Sequence, residues 1–335
     1  MKRAPNPYST PRVGFLGVGW IGRHRMEALA RSGRVEVAAI ADPVEELVLK
    51  AREIAPRAEL ADGLAPLLDM DLDGLVIATP SALHAEQALA AFDAGLAVFC
   101  QKPLGRTAAE TRMVIEAARR ADRLLGVDLS YRFTRGMQAI RDRVRAGDLG
   151  RIYAVDLVFH NAYGPDKPWF YDPALSGGGC VVDLGIHLVD LALWTLDFPR
   201  IEAVTSRLYA GGEPLDGRRD RVEDYALARL DLETGAAVTL ACSWKVSAGC
   251  DAVIQAAFYG TGGGLALRNV DGSFYDFRAE QYRWTAREIL VEPPDDWGGR
   301  AAVDWAERLV RSREYDPDIE RVLDTAQALD AIYQR

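Results

Sequence analysis

The chain has 335 residues, 49% of them hydrophobic, which is enough for two domains with a core each. Its formal net charge of −9 argues against nucleic acid and anionic membrane surfaces as main partners. No stretch reaches the roughly 20 apolar residues of a membrane helix, and residues 1–12 lack the apolar core of a secretory signal. We therefore expect a cytoplasmic protein.

Cysteine and histidine are scarce and scattered. None of the four cysteines forms a C-x-x-C pair or stands near one of the four histidines at metal-ligand spacing. We expect reduced thiols and no metal site.

The first part of the chain alternates short apolar runs with amphipathic segments. The apolar runs predict strands at residues 13–17, 35–41, 72–78, 96–100 and 124–129. Helices are predicted at residues 20–32 and 44–54, after a capping Ser81, and after a capping box at residues 107–110. This alternation is typical of a parallel sheet with right-handed crossovers.

The pattern changes after a helix at residues 137–145. Strand-like runs joined by turn signals follow at residues 152–160, 201–209, 224–232, 236–245 and 253–259. One helix at residues 181–196 interrupts them, and helices at residues 300–310 and 319–333 close the chain. The prediction is an α/β protein: a Rossmann domain over residues 1–130, and an α/β domain with an open, mostly antiparallel sheet over residues 131–335. The active site is expected between them.

A glycine motif lies between the first strand and the first helix. Gly17, Gly19 and Gly22 fit G-x-G-x-x-G, with Trp20 and Ile21 in the variable positions. Gly17 allows the tight turn, Gly19 lets a pyrophosphate approach the backbone, and Gly22 lets the helix pack closely. The helix N-terminus offers N–H groups to the phosphates.

Asp42 lies 20 residues after Gly22, at the end of the second predicted strand. A carboxylate there accepts hydrogen bonds from an adenosine ribose. It repels a 2′-phosphate, and no Arg follows it directly, so NAD is expected over NADP.

Two further segments carry a resemblance. The first is the run from Ala78 through Thr79, Pro80 and His84, followed by Cys100-Gln101-Lys102-Pro103. The second is Ser176-Gly177-Gly178-Gly179, followed by Asp183-Leu-Gly-Ile-His187-Leu-Val-Asp190. With the glycine motif, their order and spacing resemble the glucose-fructose oxidoreductase, inositol dehydrogenase and MocA family over nearly the whole chain.

The resemblance implies an enzyme that couples oxidation of a sugar or cyclitol hydroxyl to reduction of a nicotinamide, or the reverse. Lys102 matches the lysine of the family's Glu-Lys-Pro motif, and Asp183 and His187 match its Asp and His. Gln101 departs from the family, because it replaces the usual Glu. A neighbouring Glu favours a charged lysine, so Gln101 alters the electrostatic environment of Lys102.

The chemistry supports these residues independently. Oxidation of a secondary alcohol needs a base for the hydroxyl proton. Asp183 and His187 are spaced i, i+4 on one face of a predicted helix, with Asp183 in its first turn. The alternative is a helix-terminal acid beside a structural core histidine. Lys102 follows a buried strand at the carboxyl edge of the sheet, where such sheets bind ligands.

Other residues are weaker candidates. Trp20, Thr79, Pro80, His84 and Gln101 are candidates for cofactor contact, with Trp20 and His84 at the nicotinamide end, although both could equally be packing residues. The candidates for substrate contact besides Lys102, Asp183 and His187 are Arg132, at the end of a strand that faces the cleft, and the aromatic Tyr163 and Trp169. Aromatic faces suit sugar C–H surfaces, although core packing is nearly as common a role for these two residues.

The predicted reaction interconverts a secondary hydroxyl and a ketone on a sugar, cyclitol or sugar-bearing metabolite, with natural-product tailoring left open. One alternative keeps a tightly bound, recycled NAD for isomerisation, elimination or hydrolysis. Another is a nucleotide-binding sensor, which should have lost Lys102 or His187. Runs at residues 236–244 and 253–258 look apolar on both faces, so we expect a homodimer or homotetramer through this sheet.

Overall fold

The computed structural model describes residues 10–218 and 220–335. Contacts divide the chain into two compact units. The first contains the described residues up to Gly105 together with Ala109–Ser130 and Gly298–Glu320; the second contains Arg106–Ala108, Tyr131–Trp297 and Arg321–Arg335. The sequence-based division placed everything after residue 130 in one domain, whereas residues 298–320 pack with the first unit.

The elements are numbered in chain order. The strands are β1 (Arg12–Leu16), β2 (Glu36–Ala41), β3 (Glu59–Leu60), β4 (Gly74–Ile77), β5 (Ala97–Cys100), β6 (Leu125–Val127), β7 (Ile152–Asn161), β8 (Ile201–Ala210), β9 (Glu213–Pro214), β10 (Tyr225–Leu232), β11 (Ala237–Ser243), β12 (Ala252–Gly260), β13 (Gly263–Asn269), β14 (Phe277–Arg283) and β15 (Ala286–Val291). The α-helices are α1 (Trp20–Ser32), α2 (Glu45–Ile54), α3 (Leu64–Asp69), α4 (Ser81–Asp93), α5 (Ala108–Ala121), α6 (Arg135–Arg145), α7 (Pro173–Ser176), α8 (Ile186–Thr195), α9 (Arg300–Arg311) and α10 (Val322–Tyr333).

The first unit is built on a parallel sheet of six strands in the order β3-β2-β1-β4-β5-β6. Strands β4, β5 and β6 are buried throughout, because helices cover both faces of such a sheet. This strand order is that of the dinucleotide-binding Rossmann fold. The predicted fold class is confirmed for this part of the chain.

Helix α9 joins the first unit through one large side chain. Trp305 is buried, and its ring centroid lies 5.7 Å from that of Phe99 on β5. Gly74 and Gly126 make room for the indole: a Cβ at these positions would lie 2.9 Å and 2.7 Å from its ring atoms. This packing is the physical reason why residues 298–320 belong to the first unit and not to the second.

The second unit contains a nine-stranded sheet in the order β15-β14-β13-β12-β7-β11-β10-β8-β9. Every described strand pair is antiparallel except β7 with β11, which is parallel. The predicted open, mostly antiparallel sheet is confirmed. Strands β9 and β13–β15 are absent from the sequence-based prediction, because β14 and β15 carry charged residues at the edge and β13 starts with two glycines.

Helices α6, α8 and α10 pack on one face of this sheet. The opposite face is mixed. One cross-strand row there is apolar and comprises Leu227, Ala241 and Val158, in register across β10, β11 and β7. The adjacent row contains Arg229, Thr239 and Asp156.

The helical run Pro173–Thr195 meets the length and composition expected of a membrane span, with a mean hydropathy of 1.3. However, 83% of its most apolar window is buried within the protein, as in a core helix.

Candidate active site

The glycine motif forms a tight turn between β1 and α1. Gly17 has φ +86°, and a Cβ there would lie 2.6 Å from the carbonyl oxygen of Ala78. A Cβ on Gly22 would lie 2.3 Å from the carbonyl oxygen of Gly17. Both positions therefore require glycine, Gly17 for its left-handed backbone and Gly22 for close approach of helix and turn.

Gly19 differs from its neighbours in the motif. A Cβ there would meet nothing within 4 Å, so the backbone borders open space. Within the described chain, α1 has no side-chain cap and no acidic residue in its first turn. An uncapped helix N-terminus beside open backbone fits a pyrophosphate. The residues here therefore fit NAD, with Trp20 half-exposed at the start of the helix.

Asp42 stands at the carboxyl end of β2 and holds the turn as well. Its Oδ2 accepts the N–H of Val18 at 2.8 Å, and its Oδ1 accepts the N–H of Val44 at 2.9 Å. The carboxylate is half-buried, so its remaining lone pairs are accessible to a ribose hydroxyl. This second task in the glycine turn is not evident from the sequence.

His84 ties two loops of the first unit together. Its Nδ1 lies 2.7 Å from the carbonyl oxygen of Pro103, and its Nε2 lies 2.7 Å from that of Thr79. The ring is buried, and burial lowers the pKa of His84 although both carbonyls favour the protonated form. These contacts hold the loop that follows Lys102. They do not favour the predicted position of His84 beside the nicotinamide.

Thr79 and Pro80 lie between β4 and α4. The hydroxyl of Thr79 donates to Oε1 of Gln87 at 2.6 Å. Pro80 is the N-cap residue of α4, and Ser81 is the first residue inside it, without a side-chain cap bond. The prediction that Ser81 caps this helix is therefore wrong, because the helix starts one residue earlier than it would if Ser81 were its N-cap.

Three buried polar side chains meet at the ends of β5 and β6. Asp128 Oδ2 accepts from Nε of Arg25 and from Nε2 of Gln101, each at 2.5 Å. All three are buried, and half-buried Lys102 follows Gln101 directly. Arg25 and Asp128 were not among the sequence candidates, because they are 103 residues apart and neither belongs to a quoted motif.

In the second unit, Asp183 lies in a π-helical turn, Val181–Gly185, directly before α8. Its Oδ2 accepts the indole N–H of Trp244 at 3.1 Å. The sequence predicted one uninterrupted helix from residue 181. Such single π turns occur frequently at functional sites.

His187 follows one turn later, in the first turn of α8. It is 8% exposed, and its ring centroid lies 4.9 Å from that of Tyr131 in an edge-on arrangement. Tyr131 is itself enclosed by Phe159, Phe277 and Trp297. The imidazole is therefore held by a rigid aromatic neighbour.

Glu223 organises the glycine-rich segment before Asp183. It is buried, and its carboxylate accepts from the N–H groups of Gly179 and Val181 and from the hydroxyl of Tyr333, the last at 2.7 Å. Burial raises the pKa of Glu223, while these donors oppose the shift. The sequence held no signal for this role, since 44 residues separate Glu223 from Gly179.

Aromatic side chains surround the Trp244 that binds Asp183. Trp244 makes edge contacts with Tyr171 and Phe170, at centroid distances of 5.6 and 6.3 Å. Trp169 stacks on Phe170 at 3.8 Å, and Lys245 lies 4.9 Å over the ring of Tyr171. Tyr163 is 53% exposed and borders Phe274 instead.

Arg132 has a structural partner. Its Nε and Nη2 donate to the two carboxylate oxygens of Asp190 on α8, the first at 2.7 Å. Oδ1 of Asp190 also accepts from the hydroxyl of Thr325 on α10 at 3.3 Å. Arg132 therefore anchors α8, and its expected contact with substrate stays a prediction that these bonds do not favour.

Comparison with known proteins agrees with this geometry. The model of the oxidoreductase family's NAD-binding Rossmann fold matches residues 11–129, and that of the GFO/IDH/MocA C-terminal domain matches residues 137–266. D-glucoside 3-dehydrogenase of Escherichia coli K12 is 26% identical over 268 residues, covering 76% of this chain and 76% of that protein. Inositol 2-dehydrogenase of Acidiphilium cryptum is 30% identical over 235 residues, covering 68% of this chain and 65% of that protein.

A solved structure shows the same fold. GenD2 from gentamicin A biosynthesis, in complex with NAD, has a TM-score of 0.80 at 23% identity and covers 100% of this chain and 96% of its own. The resemblance inferred from the motifs and the NAD cofactor are confirmed. Since the two family models match more than half of its residues, the chain belongs to the GFO/IDH/MocA family of NAD-binding oxidoreductases.

Proposed function

We propose that the protein is an NAD-dependent dehydrogenase that interconverts a secondary hydroxyl and a ketone on a sugar, cyclitol or sugar-bearing metabolite. The observation that carries this proposal is the placement of Asp183 in the π-helical turn directly before His187, with its carboxylate held by the indole N–H of Trp244. A positioned carboxylate and imidazole provide the proton acceptor that alcohol oxidation requires. The two relatives named above, dehydrogenases of a glucoside and of inositol, support a polyhydroxylated substrate.

Each proposed catalytic residue has its own task. His187 takes the hydroxyl proton, because a ring nitrogen of a neutral imidazole is a proton acceptor. Lys102 stabilises developing alkoxide charge by donating a hydrogen bond. Asp183 orients the substrate and holds the proton network. NAD, when bound, supplies the hydride acceptor.

The aromatic side chains of the second unit suit a sugar ring. Tyr171 and Trp169 border Phe170 and Trp244, whose indole donates to Asp183. Aromatic faces pack well against the C–H surfaces of a sugar. Trp169 and Tyr163 therefore remain proposed substrate contacts.

The proposal extends to assembly. The helix-free face of the large sheet carries the apolar row Leu227, Ala241 and Val158, and Leu227 is 44% exposed. An apolar row of this kind favours cover by a second copy of the chain. We expect a homodimer or homotetramer, and a monomer mass by light scattering at micromolar concentration contradicts this.

A substrate screen tests the function. Purified protein is incubated with NAD and a panel of polyols, free sugars and glycosides, and NADH absorbance is followed. At least one polyol or sugar should give NAD-dependent turnover above the no-substrate control. If NAD co-purifies and substrates change without stoichiometric NADH formation, a recycled cofactor is indicated. Binding of NADH without any turnover points to a sensor instead.

A further inference from the structure

The buried cluster of Arg25, Gln101 and Asp128 explains the departure at position 101. Asp128 Oδ2 accepts from Gln101 Nε2 and from Arg25 Nε, each at 2.5 Å. Arg25 and Asp128 are 1% exposed and Gln101 is 6% exposed. The carboxylate that the family motif carries at the end of β5 stands here at the end of β6.

The residue at position 101 depends on that carboxylate. An amide N–H can donate to Asp128, but a Glu in its place would set one carboxylate against another in a buried site. Arg25 balances one buried negative charge, and a second would be uncompensated. Gln101 is thus the residue that Asp128 and Arg25 allow.

The cluster also fixes the chain on both sides of Lys102. The N–H of Asp128 donates to the carbonyl of Cys100 at 2.9 Å, which joins the ends of β5 and β6. On the far side, the His84 ring contacts the carbonyl of Pro103 at 2.7 Å. Lys102 therefore extends from a backbone segment held by buried side chains before and after it.

One oxygen of the cluster is unusual. Oδ1 of Asp128 is buried and has no hydrogen-bond partner among the described residues. A half-satisfied buried carboxylate is costly unless its charge is used. The charge is instead held through the other oxygen by two donors, Arg25 and the Gln101 that directly precedes Lys102.

We propose that Asp128 is a positioning residue for Lys102 and supplies, from β6, the carboxylate that the family motif carries at position 101. The inference rests on the proposed function, because it assumes that Lys102 serves the reaction. It predicts that carboxylate and carboxamide can be exchanged between positions 101 and 128.

Three variants test the exchange: Gln101→Glu, Asp128→Asn and the double variant. Displacement of a catalytic group by about 1 Å costs on the order of 100-fold in rate, so each single variant should lose roughly 10- to 100-fold in kcat. The double variant should recover to within about 10-fold of wild type, because one carboxylate and one carboxamide again face Arg25. NADH affinity is measured in parallel as a control for the cofactor site.

The pH profile separates positioning from simple loss of stability. In Gln101→Glu the two facing carboxyls share a proton, so the fractional loss of kcat should shrink as pH is lowered from 8 to about 5.5. Neither Asp128→Asn nor the double variant should show this recovery. Gln101→Glu is purified at the lower pH, where the shared proton favours folding.

Two results overturn the proposal: a Gln101→Glu variant as active as wild type across the pH range, or a double variant no better than the singles in both kcat and Tm. Failure of the proposed function looks different. In that case the wild type shows no turnover on any polyol. The exchange between positions 101 and 128 is then tested by Tm, which should be lower in each single variant and restored in the double variant.

Discussion

One glycine-rich segment of the first unit, residues 17–22, differs from one of the second unit, residues 176–179, in what occupies the space of the missing side chains. At Gly19 an added Cβ would meet nothing within 4 Å. At Gly179 an added Cβ would lie 1.9 Å from the carbonyl oxygen of Glu223, and at Gly178 2.1 Å from the hydroxyl of Tyr333. The first segment therefore leaves space for a ligand at Gly19, although Gly17 and Gly22 pack against backbone, whereas the second segment fills its space with protein.

The comparison shows that a glycine-rich motif does not by itself mark a ligand site. What decides is whether the volume opened by the glycines stays empty or is occupied by a neighbouring chain segment. Here the second segment lets Glu223 reach the N–H groups of Gly179 and Val181, and so holds the turn that carries Asp183. In our proposal the first segment contacts the cofactor directly, whereas the second supports the turn that carries Asp183.

The largest expected effects concern two of the proposed catalytic residues, Lys102 and His187. Lys102→Ala and His187→Ala should each lower kcat by roughly 10²–10⁴, the usual loss for one positioned acid or base. NADH binding by fluorescence titration should stay close to wild type. Near-normal kcat in either variant removes that residue from the mechanism, and loss of NADH binding in both points to structural roles.

Two glycine substitutions test the difference between the two segments. Gly179→Ala should unfold or strongly destabilise the second unit, because the new Cβ overlaps backbone atoms of Glu223. Gly19→Ala should keep the wild-type Tm and weaken NADH binding by about 10-fold, because it intrudes only on the phosphate approach. Thermal melts and NADH titrations of both variants decide. A stable Gly179→Ala variant breaks the distinction.

A substitution of Asp42 tests how the first segment selects its cofactor. Asp42→Ala should narrow the preference for NAD over NADP, since the repulsion of a 2′-phosphate is lost. Asp42→Ala should also weaken the binding of both cofactors, because the N–H of Val18 in the glycine turn loses its acceptor. Asp42→Asn is the matched control, since its single amide oxygen can still accept the N–H of Val18 without the charge, and only the N–H of Val44 loses its acceptor. Equal titration curves for both cofactors with the intact protein contradict the assignment.

The smallest effect concerns pH and the second segment. Burial raises the pKa of Glu223 above its ordinary 4.5. A raised folded-state pKa stabilises the protein below that ordinary value, and this contribution is lost as pH rises through the folded pKa. The Tm of wild type should therefore fall with rising pH by a few degrees more than that of Glu223→Gln, which keeps an acceptor but cannot ionise. If calorimetry shows that the Tm of both proteins falls equally with pH, the raised pKa of Glu223 is refuted.

Local patterns account for what was predictable. The turn with Gly17, Gly19 and Gly22 and the acid at Asp42 lie within one strand–helix–strand unit, so spacing alone reveals them. Apolar runs likewise reveal β7, β8 and β10–β12. Strands β14 and β15 lie at the sheet edge with charged residues, and no apolar alternation marks them.

The sequence by itself determined the fold class, the dinucleotide turn and the residue types of the proposed chemistry, because each is encoded by short-range periodicity or a compact motif. Only the tertiary structure decided that Arg25 balances Asp128, that Asp128 accounts for Gln101, and that Glu223 supports the turn of Asp183. These partners are 27 to 103 residues apart along the chain. Their pairing comes from burial, which forces distant polar groups to satisfy one another where water is excluded.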